Sequence, residues 1–86
     1  MEREKGSTTE LRLIGLRAAE AVERLQRFLD DAQSAGVATV RIVHGMGTGA
    51  LKRAVTDYLS ATSYCTRFVD AEPNQGGAGV TIADLL

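Results

Sequence analysis

The stretch Val40-Arg-Ile-Val-His-Gly-Met-Gly-Thr-Gly-Ala-Leu51 decides the fold. Its first residues continue a β-branched, apolar run from Val37 to Val43 with little alternation, the pattern of a strand covered on both faces and so interior to a sheet. Three glycines at alternate positions follow. A helix then runs to about Thr62, read from apolar Leu51, Ala54/Val55 and Tyr58/Leu59 at spacings of three and four. Thr48 is its expected N-cap. A buried strand feeding a helix through such a loop is an α/β arrangement, and it also makes a site. The first amides of a helix have no intrahelical acceptor, and glycines let a ligand come close to them. The product is a nest suited to a phosphate.

Working outward, Glu10-Leu-Arg-Leu-Ile14 alternates, with Leu11 and Leu13 on one face, and reads as a short strand closed by Gly15. Ala18, Ala21/Val22, Leu25, Phe28/Leu29 and Ala32 then mark an amphipathic helix from about Arg17 to Ala35, with no Ser, Thr, Asp or Asn at its start and Gly36 as its stop. On the other side, Cys65-Thr-Arg-Phe-Val69 is a third strand, Asp70 to Gly79 a loop with one proline and three glycines, and Val80-Thr-Ile82 opens a last strand. The order is βαβαββ. Two strand–helix–strand units require right-handed crossovers, while the last two strands, joined by the long loop, are open to either direction. The expected fold class is α/β: a two-layer sandwich with a four-stranded mixed sheet and two helices on one face.

Composition narrows the function. The 86 residues carry ten Lys+Arg and eleven Asp+Glu, a net charge of −1, with 44% hydrophobic and 24% charged residues. That is an ordinary globular balance, not that of a strongly basic nucleic-acid binder. With no Trp, two Tyr and two Phe, a single-strand binder built on stacked aromatics is also unexpected. No apolar run reaches the roughly 20 residues of a membrane span, so no membrane partner is expected. Cys65 is alone, which excludes an internal disulfide and suits a cytoplasmic location, and one Cys with one His cannot build a structural zinc site. Residues 1–8 are charged without an apolar stretch and read as a disordered leader or linker, leaving 9–86 as one domain.

The charge is unevenly placed. Residues 1–35 hold six bases and seven acids, net −1. Residues 36–69 hold Arg41, Lys52, Arg53 and Arg67 against Asp57, net +3. Residues 70–86 hold three acids and no base, net −3. The positive third surrounds the glycine loop, where phosphate contact is electrostatically sensible. Other readings of the loop compete. Gly45, Gly47 and Ala50 fit the dinucleotide fingerprint, with Asp70 at the expected distance, but that fold needs two mononucleotide-binding halves that a chain of this length cannot supply. No Walker A loop surrounds Lys52. The glycines can also serve a tight turn alone. His44, at the carboxyl end of the interior strand, is either a satisfied structural residue or a phosphate ligand or acid/base.

Three segments together resemble the Smr (small MutS-related) domain, in the version found at the C-terminus of bacterial MutS-two proteins: Glu10-Leu-Arg-Leu-Ile-Gly-Leu16 with its helix, the His44-Gly-Met-Gly-Thr-Gly49 element, and Phe68 through Gly76-Gly-Ala-Gly-Val-Thr-Ile82. The resemblance covers about Thr9 to Leu86. It implies a sandwich similar to the C-terminal domain of bacterial translation initiation factor three. It also implies binding to DNA (branched or double-stranded) or structured RNA, with links to suppression of recombination and to ribosome rescue. In several members it extends to metal-stimulated endonuclease activity, with Mg or Mn as the ion. The resemblance implies no cofactor resident in this domain, and ATP only in another domain of the MutS-like parent chain. One departure stands out. The family's first motif reads Leu-Asp-Leu-His-Gly or Leu-Asp-Leu-Arg-Gly, whereas this chain has Arg12 for the Asp and Ile14 for the His or Arg. Arginine has no lone pair for a metal or a water, which shifts the expectation from cutting towards binding; Asp70 and Glu72 are the remaining metal candidates.

The expected site is accordingly the loop Gly45, Gly47, Thr48 and Gly49, with Lys52 and Arg53 behind it and Arg41, Arg12 and Arg17 as lesser phosphate contacts. His44 is the catalytic candidate if the chain cuts. A protein- or ribosome-docking module is the third reading.

Overall fold

A computed structural model describes residues 9–86; the expected leader, 1–8, lies outside the described residues. Strands β1 (Glu10–Arg12), β2 (Thr39–Val43), β3 (Cys65–Asp70) and β4 (Val80–Leu85) form one sheet in the order β1-β2-β4-β3, with helices α1 (Ala18–Ser34) and α2 (Ala50–Ala61) in the two crossovers. β1 and β2 run parallel, pairing Glu10 with Arg41 and Arg12 with Val43. β4 is antiparallel to both β2 and β3. The last two strands therefore form an antiparallel hairpin that folds back to put β4 between β2 and β3, and the sheet is mixed as expected.

Alternation decides what each strand buries. Leu13, Val40, Ile42, Ala83 and Leu85 face the helices and join Ala21, Leu25, Phe28, Leu29 and Ala32 of α1 and Val55 and Leu59 of α2 in one core. The expected stripe of α1 is the buried one apart from Val22, which is half-buried, and Ala18, which is exposed at the helix start. The end of α1 is fixed by two bonds: Gly36 N–H donates to the Gln33 carbonyl and Val37 N–H to the Ala32 carbonyl, each at 3.0 Å. These are the paired bonds of a Schellman motif.

The other sheet face carries Glu10, Arg12, Arg41 and Asp84, with a small apolar cluster of Val43, Ala71 and Val80. That cluster is roofed by the β3–β4 loop. The loop contains two 3₁₀ turns, Pro73–Gln75 and Gly77–Gly79, where the sequence reads only as irregular chain. Gly76 joins the turns at φ +114°, and a Cβ there would run into the Val80 side chain. β2 is interior, as its apolar run implies, and this roof is why Val43 is buried on the face without helices.

Candidate nucleic-acid interface

β1 and β2 are parallel neighbours, each followed by a helix, so both chains leave the sheet at the same edge and both helix N-termini open there. This is where open α/β sheets place ligands. Between the two loops lies a cleft of about 530 Å³, lined by residues 14–18 and 44–52. Both macrodipoles point their positive ends at it.

The β2–α2 loop is held in shape from beneath. Gly45, Gly47 and Gly49 all have positive φ, at +77°, +31° and +87°. Gly49, in the left-handed region, is the cap residue of α2, in place of the expected Thr48. The Thr48 hydroxyl still takes part, accepting from the Ala50 amide at 3.3 Å. The amides of His44 and Gly45 both donate to the Gly79 carbonyl, at 3.1 and 2.9 Å. Gly79 can come this close because it lacks a side chain: a Cβ would sit 3.5 Å from the Gly45 backbone and 3.4 Å from Met46. Gly45 N–H is thus already occupied. In this loop and the first turn of α2, the amides without an acceptor among the described residues are those of Met46, Gly47, Thr48, Leu51 and Lys52.

His44 is 3% exposed. Its Nδ1 is 2.9 Å from the Gly45 carbonyl oxygen and its Nε2 is 2.8 Å from Thr81 Oγ1. A carbonyl can only accept, so Nδ1–H donates to it. In the neutral ring Nε2 then accepts from the Thr81 hydroxyl. Both nitrogens are satisfied inside the protein, and the ring braces the loop against β4. Thr81, 1% exposed, is a hydrogen-bond partner of His44 that sequence reasoning missed. Its signal was parity: Thr81, Ala83 and Leu85 share one strand face, and a hydroxyl on a core face needs a buried partner.

The structure brings His44, Gly45, Gly47, Thr48, Gly49, Lys52 and Arg17 to this cleft. Arg53 lines a second, adjoining groove that shares Ala18, Thr48, Gly49 and Ala50 with the first. Arg12 and Arg41 are not brought there. Both lie on the sheet face opposite the helices, at 3.5 Å from the two carboxylate oxygens of Glu10. Arg41 also donates to the Gln75 carbonyl at 2.9 Å, tying down the β3–β4 loop. Lys52 Nζ is 3.0 Å from Asp70 Oδ1. Arg17 and Arg53 have no carboxylate partner among the described residues. No group of three or more His, Cys, Asp or Glu is placed to hold a metal ion among them either. The lining of the cleft includes no Asp or Glu, and Asp70 beside it is engaged by Lys52, so the donors of the cleft do not fit a resident divalent ion.

The remaining titratable features lie elsewhere. The Tyr64 hydroxyl donates to Asp30 Oδ1 at 2.7 Å, and that bond, together with the carboxylate's charge, raises its pKa above the ordinary phenol value. Partial burial raises the Cys65 thiol.

Fold and cleft together define a class: a two-layer α/β sandwich whose two crossover helices present their N-termini to one anion-suited crevice. The comparisons with known proteins give the family. The Smr domain model matches residues 11–86, and the chain belongs to that family. It is 49% identical over 85 residues to the endonuclease MutS2 of Lachnospira eligens, covering 99% of this chain and 11% of that protein. It is 44% identical over 75 residues to the endonuclease MutS2 of Aquifex aeolicus, covering 87% and 10%. The chain thus spans about a tenth of the length of these curated relatives. Among solved structures, the Smr domain of Thermus thermophilus MutS2 superposes with a TM-score of 0.89 at 40% identity, covering 91% of this chain and 98% of that one. YdaL, a stand-alone small MutS-related protein from Escherichia coli, shares the fold at 22% identity, with a TM-score of 0.86 and coverage of 93% and 66%. No helix of the described residues is long and apolar enough to cross a membrane.

Proposed function

We propose that this domain binds the phosphate backbone of DNA or structured RNA in the cleft between the two helix starts, as the nucleic-acid-contacting part of a MutS-like chain. The observation that carries the reading is the convergence of two helix N-termini on one cleft, with the amides of Gly47, Thr48, Leu51 and Lys52 unsatisfied and Arg17 unpaired at its wall. Arg53 extends the cationic surface into the adjoining groove. Few side chains are placed to read base edges, so recognition is of backbone and shape, not sequence. Arg12 and Arg41 drop out as phosphate contacts, and His44 and Gly45 act by holding the loop in shape.

A salt titration tests this. Two to four phosphate contacts give a log–log slope of roughly −2 to −3.5 on duplex or branched DNA. Arg17→Ala lowers affinity and reduces the slope by about 1. In amide spectra, Gly47, Thr48 and Leu51 shift on titration and Gly45 shifts least. Absence of binding at low salt to duplex DNA, branched DNA and structured RNA overturns the proposal.

A second reading, nicking of the strand, is favoured by the relatives named as endonucleases. The cleft supplies no protein cage for Mg or Mn, so an ion would come with the substrate's phosphates, and His44 would act through the loop it braces. Relaxation of supercoiled plasmid with Mg or Mn present, compared between wild type and Arg17→Ala, decides it. Activity that falls with phosphate binding supports nicking, and activity equal in both proteins rejects it for this cleft. Suppression of recombination and docking of this domain on a protein or the ribosome are proposals of the same rank, the first to be tested in a full-length MutS-like chain and the second with the domain itself.

A further inference from the structure

We infer that Arg41, on the sheet face turned away from the cleft, is a positioning residue for the phosphate-binding loop. It clamps the β3–β4 loop, and that loop supplies the carbonyl that decides which amides the cleft keeps free. The inference rests on the phosphate-binding reading above and names a residue that the site depends on without touching it.

Arg12 and Arg41 invite comparison. Both guanidinium groups lie 3.5 Å from a carboxylate oxygen of Glu10, on the same open face. Arg41 reaches further. Its Nε faces Glu10, while its Nη1 donates to the Gln75 carbonyl at 2.9 Å. Its Nη2 lies 3.9 Å from where a Cβ of Gly76 would stand. One planar fork thus spans from β1 to the first 3₁₀ turn, which a point-charge ammonium does not do.

From Gln75 the restraint runs along a short, closed stretch of chain. The Gln75 and Gly77 amides both donate to the Glu72 carbonyl, at 2.8 and 3.0 Å, and the Gly79 amide donates to the Gly76 carbonyl at 3.0 Å. The Val80 amide donates to the Gly77 carbonyl. That last bond orients the peptide unit between Gly79 and Val80, because its N–H and C=O lie in one plane. The carbonyl of the same unit accepts from the amides of His44 and Gly45. Pairing of Val80 with Val43 holds its strand side. Its other side is held by the turns, and Arg41 ties those turns to the interior strand. Once the clamp is lost, the turns shift, the Gly79 carbonyl moves with them, and the loop from His44 to Gly49 loses its lower brace. Phosphate affinity falls although no phosphate contact has been removed.

The test compares Arg41→Met with Arg12→Met in the 86-residue chain. Each removes one positive charge from the same face and keeps an apolar stem over the sheet. Binding of duplex DNA is titrated at several salt concentrations, and amide exchange at Gly45 is followed against Leu25 in α1. Arg41→Met is expected to bind about three- to fivefold more weakly than Arg12→Met, on the scale of an exposed charged contact. The salt slopes of the two agree, because neither loses a phosphate contact. Gly45 exchanges faster in Arg41→Met and keeps wild-type protection in Arg12→Met. Arg41→Thr, β-branched and too short to reach Gln75, repeats the comparison where Arg41→Met melts early. Equal losses in the two variants, or a slope shallower by about 1 in Arg41→Met alone, make Arg41 a source of charge or a phosphate contact and overturn the inference. Wild-type protection of Gly45 in Arg41→Met overturns it as well. If wild type binds neither duplex DNA nor structured RNA at low salt, the phosphate-binding reading falls, and the exchange comparison still decides whether Arg41 positions the loop.

Discussion

Leu13 and His44 occupy matching places. Each is the first residue beyond a parallel strand, and the two strands are neighbours, so the pair sits side by side at the end of the sheet beneath the two loops, 0% and 3% exposed. One is apolar and the other polar. Above Leu13 the chain turns directly into α1, closed by one bond from the Leu16 amide to the Leu13 carbonyl at 3.1 Å. Above His44 it makes a longer detour through three left-handed glycines, anchored by His44 to Thr81 and by two amides to the Gly79 carbonyl. The difference teaches that a helix start by itself needs only a tight turn on a greasy residue. The second loop carries additional machinery whose effect is to leave some amides free while satisfying others.

If the two residues do different jobs, breaking them gives different results. Leu13→Ala removes a fully buried side chain from the main core and costs about 2–5 kcal/mol in urea unfolding. In the fraction that remains folded, binding of DNA is unchanged. Thr81→Val keeps the shape and removes the hydroxyl from His44 Nε2, at a cost of about 1–3 kcal/mol. Here the expected signature is local. Amide exchange at His44 and Gly45 accelerates more than at Leu25 in α1, and phosphate binding weakens. A Thr81→Val protein whose glycine-loop amides stay as protected as in wild type removes the bracing role assigned to His44.

Much of this comparison was legible in the sequence. The 3.6-residue stripe of α1, the alternation through Leu11 and Leu13, and the strand–glycine–helix run at Val40–Leu51 each follow from a single local period, and the structure keeps them. The direction of β4 was not legible, because a loop the length of Asp70–Gly79 joins strands either way. Which loop amides are free was hidden for the same reason: the acceptor that occupies Gly45 is the Gly79 carbonyl, brought there by the hairpin. The sidedness of Arg41 was within reach, since Val40 and Ile42 face the helices. It was obscured because Val43 makes the run read as apolar on both faces, and Val43 owes its cover to Ala71 of the distant loop and Val80 at the start of β4. Pairings such as Lys52 with Asp70 depend on where β3 ends, which no local pattern states.

Gly15 and Gly49 sharpen the contrast at smaller scale. Their φ angles are nearly equal, +89° and +87°, and a Cβ at either would meet open space. Alanine therefore costs backbone strain alone, about 1–2 kcal/mol at each, and thermal melts of the two variants are expected to agree. Binding is not expected to agree. Gly49 caps the helix whose free amides face the cleft, so Gly49→Ala weakens phosphate binding, while Gly15→Ala leaves it near wild type. Equal losses at both positions would mean that α1 contributes to the anion site as strongly as α2.

The smallest effect on stability is expected at Lys52, and it runs opposite to a simple count of positive charges. Its ion pair with Asp70 is partly exposed on both sides, 32% and 54%, so breaking it changes folding stability by less than about 1 kcal/mol. For binding, the pair sets how much of the lysine's charge the cleft can use. Lys52→Met therefore weakens DNA binding less than Arg17→Ala does, because a lysine already neutralised releases fewer counterions. Asp70→Asn frees the ammonium and is expected to strengthen binding, with the salt slope steeper by up to about 1. Anisotropy titrations of the three variants at several salt concentrations separate these cases. Weaker binding in Asp70→Asn would show that the carboxylate orients Lys52 towards the phosphate, and the pair would then be part of the site and not a restraint on it.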